Sequence, residues 1–137
     1  MQVFEHSSSY TVVLDKGEEI LESLTLFAQE RGIDAASVQG IGALDKVEVG
    51  YFDHAARVYE RHELPGEYEL LSFLGNITLK NNAPFLHAHV VLSAADLTCL
   101  GGHLFAGRVS VTAELHVVPL LGSLHRAHDP DTGLYLL

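Results

Sequence analysis

Pro84-Phe85-Leu86-His87-Ala88-His89-Val90-Val91-Leu92-Ser93, followed eight residues later by Gly101-Gly102-His103-Leu104, decides how this chain is read. The run follows the Asn81-Asn82 turn and reads as a strand over Leu86 to Ser93. Successive side chains on a strand point to opposite faces, which puts His87 and His89 on one face. A short hairpin would bring His103 back alongside them. If Ala95 and Asp96 form a two-residue turn, opposed residue numbers sum to 191 and His103 lands on the wrong face. A three-residue loop at Ala94-Ala95-Asp96 sets His103 opposite His87, and a loop one residue later sets it opposite His89. Gly101-Gly102 is a natural place for a bulge or a close backbone approach that re-aims His103. Three imidazoles meeting at one point, with an open fourth position, form a donor set suited to zinc or another divalent transition metal.

The surroundings read outward from this strand as α+β. Tyr10-Thr11-Val12-Val13-Leu14 is a first strand, and Asp15-Lys16-Gly17 turns it into a helix over Glu18 to Arg31. Ile20, Leu21, Leu24, Phe27 and Ala28 recur at helical spacing, and Gly32 supplies the stop. After Gly32 the period is two. Strands are expected over 36–44, 47–53, 57–62, 68–79, 86–93, 97–100 and 108–118, with Asn81-Asn82 as the turn before the histidine strand. In the last of these Val109, Val111, Ala113, Leu115 and Val117 are expected to share one face. The expected architecture is one main helix packed on a large, curled antiparallel sheet of about seven strands, in a single domain over 1–137. The apolar tail Leu134-Tyr135-Leu136-Leu137 is expected to dock on its own sheet or on a neighbouring subunit.

Composition narrows the function. Eighteen acidic residues against eight basic ones give a formal charge of −10, and the basic residues are scattered. Duplex binding draws on clustered Lys and Arg that neutralise phosphates, so direct DNA binding is not expected. No apolar run approaches the roughly 20 residues needed to span a bilayer, and Met1-Gln2-Val3-Phe4-Glu5-His6 lacks the regions of a signal peptide; no membrane partner and a cytoplasmic location are the expectation. The single Cys99 excludes an internal disulfide. Of the nine histidines, His6, His54, His62, His125 and His128 lie among polar neighbours and read as surface residues. Cys99 shares the parity of His103 and has two readings, a fourth ligand or a small buried hydrophobe, the second following from how often free cysteine is buried. Glu69 and Glu114 are the remaining acids that strand placement brings into question, as partners for a histidine N–H or as bases.

Gly66-Glu67-Tyr68-Glu69-Leu70-Leu71-Ser72-Phe73-Leu74-Gly75-Asn76-Ile77, the histidine strand, Gly101-Gly102-His103-Leu104 and Thr112-Ala113-Glu114-Leu115, in that order, resemble the PPC domain, the plants and prokaryotes conserved domain, in its stand-alone prokaryotic form. The resemblance covers nearly the whole chain. It implies a homotrimer, and it implies a bound metal, usually zinc, at His87, His89 and His103. The family is commonly labelled DNA-binding; the AT-hook that precedes the domain in plants is absent here, and Glu67 stands where the plant motif has arginine. The expected function is a metal-binding regulatory or ligand-binding module. The alternative is a metal-assisted hydrolase or lyase with Glu114 or Glu69 as base, acting on a small substrate that the sequence does not define.

Overall fold

The computed structural model describes residues 1–137. Eight strands and one helix follow in the order β1 (Gln2–Glu5), β2 (Tyr10–Asp15), α1 (Ile20–Arg31), β3 (Ala36–Asp53), β4 (Val58–Lys80), β5 (Ala83–Ser93), β6 (Cys99–Pro119), β7 (His125–His128) and β8 (Tyr135–Leu136). The expected α+β fold is present. β3 pairs with β4, β4 with β5, β5 with β6 and β6 again with β3, all antiparallel, so the sheet closes on itself into a barrel. β2 and then β1 extend it along β6, while β7 runs parallel to the end of β4 and β8 pairs with β7.

Three strands are longer than the sequence pattern suggests, because the pairs 36–44 and 47–53, 57–62 and 68–79, and 97–100 and 108–118 are each joined through an irregularity. β3 is shifted in register at Gly40/Gly42 and at Asp45/Val47, and Lys46 there takes φ 47°. On β6, Gly42 pairs with Ala113 but Leu44 pairs with Val109, so two extra residues bulge from β6. A bulge inverts the alternation locally. Val109 and Ala113 are therefore buried while Val111, expected on their face, is 67% exposed and Ser110 points in. Leu97 also departs from its expected strand, at φ 67° in the loop before β6.

α1 begins two residues later than expected, with Glu19 as N-cap: one carboxylate oxygen accepts from Glu22 N–H at 2.7 Å, and the other accepts from Gly107 N–H at 2.9 Å. That ties the helix to β6. Gly32 ends it in the left-handed conformation, and its N–H donates to the carbonyl of Gln29 at 3.3 Å. Ile20, Leu24, Phe27 and Ala28 turn inward and join Leu44, Leu70, Phe73, Leu92 and Leu115 in one continuous core. Each such fully buried large side chain contributes about 1.5–3 kcal/mol. This core fixes the barrel wall on whose outer face the histidines stand.

Candidate metal centre

The sequence of the hairpin sets the site. Lys80 pairs with Ala83 across Asn81-Asn82, both at positive φ (53° and 61°), the two-residue turn that asparagine tolerates. At the other end of β5, Asp96 caps the loop by accepting from the Thr98 N–H at 3.0 Å and the Thr98 hydroxyl at 2.6 Å, and Ala94 N–H donates to Thr98 C=O at 3.0 Å. Opposed residues therefore sum to 192, and His89 faces His103 directly, the later of the two loop positions the sequence allowed. The register is unbroken along Gly101 and Gly102, so neither bulges against β5. They are instead close-approach glycines. A Cβ on Gly101 would lie 2.1 Å from Val90 O, and one on Gly102 2.7 Å from Gly50 O.

The three rings lie 5.0 to 5.4 Å apart, centroid to centroid, and one nitrogen from each falls within 4.8 Å of the others. A tetrahedral ion held at about 2.0–2.1 Å from each nitrogen needs donors about 3.3 Å apart, so the rings must turn toward one another to close on it. Burial makes the rings ready. Desolvation, helped by the neighbouring His87, His89, Arg126 and Arg61, lowers the His103 pKa to about 4, and desolvation with Arg126 and His89 lowers that of His87. Both are neutral at pH 7, the ligating form. Nδ1 of His103 is buried with no hydrogen-bond partner. Such an orphan costs about 1–3 kcal/mol, and coordination of an ion is one way to satisfy it. The residues present fit a metal.

An aromatic wall backs the site. Phe105 and Tyr59 lie 4.6 and 4.9 Å from His103, and Arg61 covers Phe105 at 4.0 Å. Gly50 opposite His103 makes room for it, since a Cβ there would meet the Phe105 ring at 2.6 Å. On the other side stands Arg126 of β7, donating from Nε to Thr78 Oγ1 (2.8 Å), from one terminal nitrogen to Tyr135 O (3.1 Å), and from the other to Asn76 Oδ1 (2.8 Å). That last nitrogen also lies 3.3 Å from His87 Nδ1. None of these neighbours was singled out from the sequence. Asn76 and Thr78, polar and alternating in an apolar run, were the available signal; Arg126 had none.

The other candidates lie elsewhere. Cys99 is four residues along β6 from His103, about 13 Å on an extended strand, and it is exposed. It is neither a fourth ligand nor the buried hydrophobe expected. Glu69 and Glu114 are exposed and line a separate hollow of about 360 Å³ with Ile41, Leu71 and Val111. No carboxylate joins the histidines. His6, His54, His62, His125 and His128 are all exposed, as expected.

The lowered pKa has a consequence for the metal-free protein. His103 folded titrates near 4 and unfolded near 6.5, so between these values the unfolded chain holds the extra proton. Its contribution is present above about pH 6.5 and is lost as pH falls toward 4. Urea midpoints of metal-free protein should drop from pH 7.5 to pH 5, and the drop should shrink in His103→Gln; equal slopes in the two proteins would refute the assignment.

The family model for the Plants and Prokaryotes Conserved domain matches residues 1–121. The chain belongs to this family. Among solved structures of similar fold, a plant- and prokaryote-conserved protein from Pyrococcus horikoshii is 35% identical, with a TM-score of 0.89 over 98% of this chain and 92% of that one. A protein from Archaeoglobus fulgidus described as metal-containing is 37% identical, with a TM-score of 0.88 over 99% and 98%. A candidate DNA-binding protein from Bacteroides thetaiotaomicron is 27% identical, with a TM-score of 0.95 over 98% and 94%. No curated protein matches significantly. No helix of this domain is long and apolar enough to cross a membrane.

Proposed function

We propose that this domain is a metal-binding module in which His87, His89 and His103 hold one divalent transition metal, zinc first, and leave a coordination position open for a small ligand. The observation that carries this is the convergence of three nitrogen donors within 4.8 Å, two of them on rings kept neutral by burial. The metal-containing relative from Archaeoglobus fulgidus supports it. A binding role is favoured over hydrolysis because Glu69 and Glu114, the acids available as bases, stand away from the histidines. Direct DNA binding gains no support from a chain of charge −10. Metal analysis of untagged protein tests the reading: about one equivalent in the wild type, lost in His87→Ala or His103→Ala, is expected, and a substoichiometric content indifferent to both would sink it.

We infer that the module works as the homotrimer the resemblance implies. Ile41 and Leu71 border two adjoining hollows, one shared with Leu74 and the other with Val111, and these four side chains are 50–67% exposed. Exposed large apolar side chains gathered on a barrel wall, here with Glu114 among them, mark an association surface. Leu74 pairs with His89, so the patch runs up to the histidines. Light scattering should give three chains per particle for the wild type and one for Leu71→Lys or Leu74→Glu; a monomeric wild type would overturn the inference.

A further inference from the structure

Arg126 is the one cation beside the histidines whose charge nothing matches. Arg61, on the far side of the aromatic wall, is paired with Glu48 at 2.6 Å. The acceptors around Arg126 are a hydroxyl, a backbone carbonyl, an amide and an imidazole, all uncharged, and it takes part in no ion pair. It is part-buried, so solvent compensates it poorly. It also lies past residues 1–121, the stretch matched by the family.

The contact with His87 sharpens the point. A guanidinium only donates, so His87 Nδ1 accepts from Arg126, and the neutral ring then carries its proton on Nε2. If His87 gives Nδ1 to an ion, the Arg126 contact is displaced. If it gives Nε2, the ring proton moves to Nδ1 and faces the Arg126 N–H, donor against donor. Either way His87 cannot ligate and keep this hydrogen bond, and an N–H of Arg126 is released beside the histidines. Three neutral imidazoles bring no negative charge, and no carboxylate is at hand to supply it.

From this we infer that the site takes a small oxyanion, a carboxylate or a phosphoryl group, with one oxygen at the open metal position and another accepting from Arg126. The inference rests on the metal reading above. No carboxylate pairs with Arg126 or joins the three histidines, so this spot is locally cationic on a chain of net charge −10. Arg126 thereby selects charge, and the aromatic pair Tyr59 and Phe105 on the opposite side offers apolar contact to the remainder of the ligand.

The test loads the full chain with cobalt(II) alone, measures stoichiometry, and then follows the visible absorption bands during titration with acetate or with methyl phosphate. The wild type should bind one cobalt and respond to at least one of the two anions, the tighter of them identifying the class. Arg126→Gln should still bind cobalt and need about tenfold more anion, with Arg126→Lys between the two. Cobalt bands in loaded wild type that do not move below about 0.1 M of either anion, where general salt effects take over, would overturn the proposal. So would equal responses in wild type and Arg126→Gln. Failure of the wild type to bind cobalt, visible before any anion is added, would instead bring down the metal reading, and this inference with it.

Discussion

Replacing His103 with alanine should weaken zinc binding by about 100-fold or more. Partners that merely orient a metal-bound histidine are worth about 10–100-fold, so a donor itself must exceed them. His103 is also the member whose place is least secured by local sequence. His87 and His89 share a face wherever their strand lies, whereas His103 arrives only through the register that pairs it with His89. Two imidazoles on one wall of a barrel make a weak site; the third closes it. Competition against a chelator of known affinity measures the loss. His62→Ala, an exposed histidine outside the cluster, serves as the control and should bind like the wild type.

Gly101→Ala should lower stability by about 3 kcal/mol or more and the melting temperature by about 10 °C. Its added methyl would sit 2.1 Å from Val90 O, 3.2 Å from Val90 C and 3.3 Å from Val91 Cα. All three are backbone atoms, so no side chain can rotate aside. β5 and β6 must part, and the histidines they carry part with them. Gly122→Ala is the informative contrast. Gly122 has φ 86° but open space around its Cβ position, so alanine there meets only backbone strain, about 1–2 kcal/mol. Thermal melts of both variants separate the two causes, and zinc binding should fail in the first alone. A Gly101→Ala protein as stable as Gly122→Ala would show that the strands do not approach as closely as described.

The sequence carried much of this arrangement. The parity of His87 and His89, the Asn81-Asn82 turn and the Gly32 stop are local effects, each set by one or two residues, and each was readable. The hairpin register was readable only as a choice of sums, because the loop that settles it depends on Asp96 accepting from Thr98 and on Leu97 taking a positive φ. Long-range irregularities were not readable. Lys46 and the extra residues of β6 look like ordinary strand or turn residues until their partners are known, which is why strict alternation puts Val111 on one face with Val109 and Ala113; the burial expected of Cys99 rests on the habit of free cysteine alone, which this strand end does not follow. Arg126 marks the limit most clearly. It sits in a short tail segment between His125 and Ala127, with no periodicity, and only the parallel pairing of β7 with the end of β4 brings it to His87.

The most direct test of the metal site is a crystal structure of untagged protein with one equivalent of zinc, with data collected on either side of the zinc absorption edge. The account predicts one anomalous peak per chain, at about 2.0–2.1 Å from a nitrogen of each of His87, His89 and His103. Well-ordered histidines with no peak between them, or a peak held by other residues, would contradict it.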